Sequence, residues 1–449
     1  MGAGGISGMK QATTIDLLER RWDGASAQRG AEASWLCGLR EEAWAQFNQA
    51  GIPTTRHENW RATNIAPVFR RDYETAAIDA LPCGRVHEEL ARLDLLGGTT
   101  VVFIDGRFAP ECSSSMPEGI ELLSGANALE ADGLDRKLGQ TALGIGFPFS
   151  ALNSALFSDL LWLRVRSGVV ATEPVTILHV TTASADLGRF SHPRTLLEIE
   201  SGAKAAIAEY YLSLHDDDAV ECTNAVTEVL LGRAAELQHL RSVLSGGFHF
   251  GRLAVDQAAE SNYNNVSLTL SGKLVRNDLS CGLYGEGAHG ELNGLVMVRD
   301  DQLVDNHTWI EHAQPECTSH ELYKAILDDQ ARVVFNGRIH VHPGAQKTDA
   351  VQANRNLLLS GDAIVNTNPQ LEIYADDVKC THGATVGQLD EQAQFYLQAR
   401  GLSRDQARAL LVSAFAKEVL DHLPIKRLSD WASTKVDQWL ARSASAIER

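Results

Sequence analysis

Two residues whose chemistry suits iron lie two positions apart in the segment DVKCTHGATVG, residues 377–387. Thiolate and imidazole, here from Cys380 and His382, are ligands for iron and iron–sulfur species. If this segment is a strand, both side chains point to the same face. Lys379 is expected to lower the pKa of the thiol. A closed metal site needs about four ligands. A site here would therefore need ligands from another chain or hold its metal transiently, and the alternative is a structural pair, a buried thiol and a hydrogen-bonded imidazole.

A second histidine pair, His340 and His342, occurs in RIHVHPG, where a strand would place both imidazoles on one face. The H-x-H spacing is typical of cupin metal sites, which also use a carboxylate a few residues later. Gln346 and Lys347 occupy that place here. We therefore favour paired surface or cross-coil histidines over an iron or zinc site.

Composition and motifs exclude several other functions. The sequence has no phosphate-binding loop, no G-x-S-x-G and no H-E-x-x-H. A formal net charge of −18 argues against nucleic acid as a ligand. No apolar run is long enough to span a membrane, and MGAGGISGMKQ at the start is no signal peptide, so the cytoplasm is the expected location. The seven scattered cysteines, without any CxxC, predict neither a disulfide framework nor a zinc ribbon, and most are expected to be small buried residues.

The segment 98–387 consists of many short extended runs, from TTVVFIDGRF near its start to LEIYADDVKC near its end. No long helical pattern separates these runs, which disfavours a doubly wound α/β fold. A single sandwich of this size would be large, whereas a β-solenoid grows coil by coil. The closely spaced glycines of GLYGEGAHGELNG suit tight corners, although the sequence shows no strict repeat period. We therefore predict a mostly β solenoid core.

Helical patterns precede this core. Residues 1–10 are predicted to be a disordered leader and residues 11–97 an N-terminal helical domain. Within it, SWLCGLREEAWAQFNQAG has helical periodicity, and Gly51 and Pro53 are expected to end that helix. The apolar stripe of the helix is Trp35, Leu36, Leu39, Ala43 and Phe47.

Helical periodicity returns after the core, and 388–449 is predicted to be a C-terminal helical domain. This segment is nearly neutral, with nine basic and eight acidic residues, unlike the acidic remainder. A first helix should end at Gly401, and Ser403 and Gln406 then form a capping-box pattern for a second that Pro424 ends. The stripe of that second helix packs on the chain itself, the commoner case, or on a partner. The predicted stripe is Ala407, Leu411, Phe415 and Val419.

Several long segments, in order between about residue 50 and residue 423, resemble the SufD family. They include GIPTTRHENWRAT, ALNSALFSD, SHPRTLLEIESGAKA, DNHTWIEHAQPECTSHELYKAIL, GRIHVHPGAQKTDAVQANRNLLLS and DVKCTHGATVGQLDEQAQFYLQARGL. HENW departs from the commoner DENW but lies far from the C-x-H pair. The resemblance implies a right-handed parallel β-helix flanked by N-terminal and C-terminal helical domains.

The same resemblance implies a function. SufD-family proteins are scaffold subunits of the Suf iron–sulfur assembly complex, with SufB and the ABC-type ATPase SufC. The resemblance implies that the β-helix pairs with SufB and that the C-terminal helices dock SufC. In the family motif K-C-[ST]-H-G-A-T, His382 holds the position implicated in cluster formation at the SufB–SufD interface, and Cys380 is the weaker candidate. Iron or a cluster would be bound there transiently.

Two function classes remain in view. The first is the non-enzymatic assembly subunit just described. The second is a stand-alone β-helix enzyme, such as a polysaccharide lyase or a cupin-like metalloenzyme, which clustered carboxylates along a groove would favour. Asp376 and Asp377 are adjacent, but they form no convincing acid–base pair. Because open solenoid ends favour aggregation, we expect SufB, or a second copy of this chain in its absence, to cover one end or edge.

Overall fold

The computed structural model describes residues 14–30, 32–71, 73–74, 83–93, 98–142, 146–182, 188–214, 221–423 and 425–447. The strands of this part of the chain alternate between two large, mostly parallel sheets, so the core is a parallel β-solenoid, as predicted. Helices precede and follow it. The predicted leader and Pro424 lie outside the described residues.

The strands follow one another as short segments along the chain. They are β1 (Tyr73–Glu74), β2 (Thr99–Ile104), β3 (Arg107–Phe108), β4 (Ile120–Ser124), β5 (Leu160–Val165), β6 (Val175–Thr182), β7 (Gly188–Ser191), β8 (Arg194–Ile199), β9 (Lys204–Leu214), β10 (Glu221–Leu231), β11 (Glu236–Val243), β12 (Phe248–Gln257), β13 (Asn262–Thr269), β14 (Leu274–Leu283), β15 (His289–Val298), β16 (Leu303–His312), β17 (Thr318–Leu327), β18 (Arg332–Val341), β19 (Asp349–Leu358), β20 (Ile364–Ile373) and β21 (Lys379–Gln388). One sheet has the order β20-β18-β16-β14-β12-β10-β8-β5-β4, and the other β21-β19-β17-β15-β13-β11-β9-β6-β2-β3.

Successive coils differ in length, which explains why the sequence shows no strict period. Phe248, Leu274, Leu303, Arg332 and Ile364 are consecutive register partners, so the intervals between them are 26, 29, 29 and 32 residues. The strands keep their register, and the corners absorb the difference in length.

One corner of the solenoid has a regular backbone geometry. A residue with positive φ recurs there, and its N–H donates to a carbonyl of the next coil's corner. These residues are Gly202, Ala234, Glu260, Gly287, Glu316 and Lys347. Gly287 belongs to the glycine-rich segment singled out above, and it adopts φ +70° at this corner. The left-handed conformation is easiest for glycine, yet four of these corners hold another residue.

Most helices come before or after the solenoid strands in the sequence, and two lie between β4 and β5. They are α1 (Thr14–Gly24), α2 (Ser26–Arg29), α3 (Ser34–Ala50), α4 (Ala66–Phe69), α5 (Cys83–Arg92), α6 (Gly125–Leu129), α7 (Pro148–Leu156), α8 (Glu391–Ala399), α9 (Arg404–Leu420) and α10 (Lys426–Ile447). As predicted, α3 ends at Gly51, which has φ +65° and donates its N–H to the Phe47 carbonyl. Among the described helices, none is long and apolar enough to cross a membrane.

The helices cover the outer faces of the two sheets. Phe47 of α3 and Phe149 of α7 belong to one apolar cluster with Phe250 of β12. On the other sheet, Val412 of α9 packs in a second cluster with Leu295 of β15. These layers cover part of each outer face, and the lumen between the sheets forms a separate core.

The scattered cysteines, which predicted no disulfide framework, include one disulfide-bonded pair. Cys83 and Cys112 form a disulfide, with their Cα atoms 5.4 Å apart. It links α5 to the segment that follows β3. The two residues are 29 positions apart, and only the fold brings them together.

Candidate metal site at the end of the solenoid

The solenoid ends in a coil that is paired on one side. β21 pairs with β19, and β20 pairs with β18. Within the described residues, neither of these last strands has a partner on its other edge. Both edges therefore present backbone N–H and C=O groups that a further strand could pair with.

Cys380 and His382 both lie on β21, in register with Ala350 and Gln352 of β19. Those two partners are buried, which shows that this face of the sheet lines the lumen. Cys380 is half-buried and packs against the core of the lumen, whereas His382 is exposed because no described coil follows it. The predicted shared face is therefore observed, and it lies at the mouth of the lumen.

The thiol is not activated in the way that the sequence suggested. Burial raises the pKa of Cys380, the Asp349 carboxylate raises it further, and a backbone hydrogen bond from Ala350 lowers it. The expected lowering by Lys379 is therefore wrong, because the thiol is partly buried and the neighbouring strand also brings a carboxylate near the sulfur. A raised pKa keeps the thiol protonated at neutral pH, and a metal must displace that proton to bind.

Two buried polar residues are the successive register partners of His382 on the preceding coils, Gln352 in β19 and Glu321 in β17. This row of register partners is called the column below His382. Gln352 Nε2 donates to Glu321 Oε2 at 2.6 Å. Burial raises the pKa of Glu321 to about 7, while the hydrogen bond from Gln352 acts in the opposite direction. Sequence reasoning missed both residues. The alternation in SHELYKAIL predicts two faces, but it does not tell which one faces the lumen.

The second histidine pair lies apart from this site, on the outer face of the other sheet. His340 Nδ1 is 3.1 Å from Glu372 Oε2, and His342 Nε2 is 2.7 Å from Glu311 Oε1. The two imidazole centroids are 4.7 Å apart. The preferred reading as cross-coil surface histidines is thus confirmed, with carboxylates that come from neighbouring coils. In the described part of the chain, no three His, Cys, Asp or Glu side chains are grouped to hold a metal.

The C-terminal helices differ in how much of their surface is buried. Ser403 and Gln406 form the predicted capping box at the start of α9. Ala407 and Val419 of the predicted stripe are buried, whereas Leu411 and Phe415 are half-buried. The buried residues of α9 are Ala407, Val412, Ala416, Val419 and Leu420. This face packs on the chain itself, whereas α8 has no buried residue.

The chain matches known protein families over most of its length. Residues 179–415 match the SufBD core domain of the SUF system for FeS cluster assembly, and residues 23–177 match the SufBD protein N-terminal region. The chain therefore belongs to the SufBD family of iron–sulfur cluster assembly proteins.

Individual relatives agree with the SufD resemblance that the motifs indicated. The iron-sulfur cluster assembly protein SufD of Escherichia coli K12 is 32% identical over 407 residues, which cover 89% of this chain and 92% of the relative. An iron-sulfur cluster assembly SufBD family protein of Synechocystis is 33% identical over 420 residues, covering 89% and 90%. The chloroplastic protein ABCI7 of Arabidopsis thaliana is 30% identical over 434 residues, covering 94% and 90%.

Proposed function

We propose that this chain is a non-enzymatic scaffold subunit that pairs with SufB, binds the SufC ATPase and contributes ligands to a cluster forming between the subunits. The observation that carries the proposal is the position of His382 and Cys380. Both lie at the mouth of the lumen, on a last strand with an unpaired edge. Two ligands form an incomplete set, and a partner chain at this end would supply the others. Iron and sulfide are the cargo of the complex.

The same end of the solenoid suits a partner that adds strands. The free edges of β20 and β21 allow such pairing. Several large apolar side chains near these edges are exposed, among them Ile364, Tyr374 and Val386. Burying such side chains stabilises a protein interface. SufB is the proposed occupant, and a second copy of this chain takes its place when SufB is absent.

The proposed SufC-docking surface is the exposed face of α8. Phe395 is 72% exposed and Tyr396 is 55% exposed. Leu410 of α9, also exposed, lies on the neighbouring helix. Exposed aromatic residues of this kind anchor many protein interfaces. Because α9 packs on the solenoid, α8 would present them from a fixed position.

The proposal is tested by replacing the ligands. His382→Ala should lower the iron and sulfide content of the complex reconstituted with SufB and SufC, because a lost ligand weakens iron capture. Cys380→Ala should have a smaller effect, since its thiol is held protonated. The exposed imidazole contributes little to folding, so His382→Ala should change the free energy of unfolding by at most about 1 kcal/mol.

A matched control is His320→Ala, which removes an exposed imidazole from the outer face of β17. This variant should melt and assemble cluster like the wild type. If His382→Ala assembles cluster at the wild-type rate while melting normally, His382 has no part in the mechanism. Early melting of His382→Ala would instead point to a structural imidazole.

A further inference from the structure

The column of inward-facing residues below His382 contains an unsatisfied acceptor. Gln352 Nε2 donates to Glu321 Oε2 at 2.6 Å, the direction that an ionised Glu321 requires. The other end of the amide, Gln352 Oε1, is buried and has no hydrogen-bond partner. Buried carbonyl groups in folded proteins nearly always have a hydrogen-bond partner, so a donor is expected nearby.

The space around the Gln352 amide in the lumen depends on a glycine in the opposite sheet. Gly337 of β18 lies across from it, and a Cβ there would be 2.3 Å from Gln352 Nε2 and 2.8 Å from the Phe335 ring. Any larger residue at 337 would displace the amide or the ring. The lumen therefore accommodates this glutamine because the opposite sheet has a glycine at the facing position.

Three groups near the amide could donate to Gln352 Oε1. Thr308 of β16 has an unpartnered hydroxyl, but it lies on the strand below Gly337 and faces Glu321. Thr367 of β20 has an unpartnered hydroxyl, but it is in register with Phe335, whereas Gly337, which the amide faces, is in register with Pro369. Two residues along a strand amount to roughly 7 Å, which places Thr367 beyond hydrogen-bond reach of the amide. His382 is the residue in direct register with Gln352, on a strand roughly 4.8 Å away.

We infer that Gln352, anchored by Glu321, accepts a hydrogen bond from one ring N–H of His382 and so fixes the tautomer of the imidazole. The other ring nitrogen then keeps its lone pair and faces out of the lumen as a ligand. Gln352 is a positioning residue in this arrangement. The inference rests on the proposed function for the role of the free nitrogen, but the tautomer itself is a property of the free subunit.

The tautomer can be measured directly. The sample is the full-length subunit labelled with ¹⁵N-histidine, and the His382 signals are identified by their loss in His382→Ala. In the neutral imidazole of His382, one ring nitrogen should be predominantly protonated. Gln352→Met, which keeps the length of the side chain and removes the acceptor, should convert His382 to the mixture of tautomers of a free imidazole. Glu321→Gln retains an oxygen acceptor for the Gln352 amide and should leave the tautomer unchanged.

Other outcomes overturn the inference. They are a wild-type His382 that already shows the free-imidazole mixture, a Gln352→Met spectrum identical to that of the wild type, and a Thr367→Val variant that shifts the tautomer as much as Gln352→Met. The wild-type spectrum decides the question even if Gln352→Met does not fold. In the reconstituted complex, Gln352→Met should weaken iron binding about 10-fold. If His382→Ala assembles cluster normally while Gln352→Met still changes the tautomer, the proposed function fails and the inference stands.

Discussion

At the scale of single residues, neighbours from adjacent coils decide the chemistry. Lys379 precedes Cys380 in the chain, yet burial raises the pKa of that thiol, and Asp349 on the adjacent strand raises it further. His340 has no carboxylate shortly after it in the sequence, yet Glu372 of the following coil lies 3.1 Å from its ring. Sequence spacing predicted which side chains share a face. It could not predict contacts between residues about thirty positions apart.

Glu321→Gln should stabilise the protein at alkaline pH and have little effect near pH 4. The folded-state pKa of Glu321 is raised to about 7, so burial disfavours the ionised form. This cost is absent below the ordinary value of about 4.3 and is complete above the folded pKa. At pH 8 the neutral amide should therefore gain roughly 3 kcal/mol in the free energy of unfolding. Urea unfolding at pH 5 and pH 8 measures the difference.

The control for this prediction is Glu130→Gln, which neutralises an exposed carboxylate on the surface. It should change stability little at either pH. A stabilisation by Glu321→Gln of the same size at pH 5 and pH 8 would show that ionisation of Glu321 is not its cause.

At the scale of elements, local signals were predicted well and surfaces less well. Gly51 and the Ser403–Gln406 capping box mark helix ends through short-range backbone chemistry, and both were found as predicted. The stripe on α9 was placed by steps of four residues, which drift by about 40° each around a helix of 3.6 residues per turn. The buried face keeps Ala407 and Val419 of that stripe and adds Val412 and Ala416. Packing against the solenoid selects the face, and the sequence of the helix alone does not contain that information.

The corners of the solenoid were also only partly predictable from the sequence. Their left-handed residues align from coil to coil, and glycine marks only some of them, since Glu260 and Lys347 occupy equivalent positions. A search for glycine therefore finds one segment of the solenoid and misses its repeat.

The exposed aromatic residues of α8 should be needed for binding SufC. Replacing Phe395 and Tyr396 together by serine removes the large apolar surface of this helix, and SufC should be lost from a pull-down with this chain. Because both side chains are exposed, the melting temperature should stay within about 2 °C of the wild type. This double substitution is a sharper test than deleting 388–423, since deletion would also uncover the apolar face under α9.

Val170→Ser is the matched control, because Val170 is 60% exposed near the opposite end of the solenoid. It should leave SufC binding intact. Retention of SufC by the Phe395→Ser, Tyr396→Ser protein would remove α8 from the docking surface.

At the scale of the whole molecule, the sequence predicted a solenoid mainly by excluding other folds. Many short strands without crossover helices left few alternatives, and the family resemblance supported that choice. The position of the open end could not be predicted this way. It depends on β20 and β21 having no further strand beside them among the described residues, which is a property of the assembled sheets. That position gives Cys380 and His382 their access to a partner.

The molecule should lose stability steadily as the pH falls below neutrality. Several buried imidazoles are neutral in the fold, because burial lowers the pKa of His249 to about 3 and that of His312 to about 4. A pKa below the ordinary value of about 6.5 gives stability that is present above pH 6.5 and lost as the pH falls. Burial also raises the pKa of Asp105, Asp159, Asp256 and Glu321, and these carboxyls oppose the trend. Burial lowers the pKa of a larger set of imidazoles, His192, His239, His249, His289 and His312. His249→Leu should therefore reduce the loss in unfolding free energy between pH 7.5 and pH 5 by roughly 2 kcal/mol, measured by urea unfolding. His320→Leu, which removes an exposed imidazole, should leave that loss unchanged. An equal loss in His249→Leu and the wild type would exclude His249 as a source of the acid sensitivity.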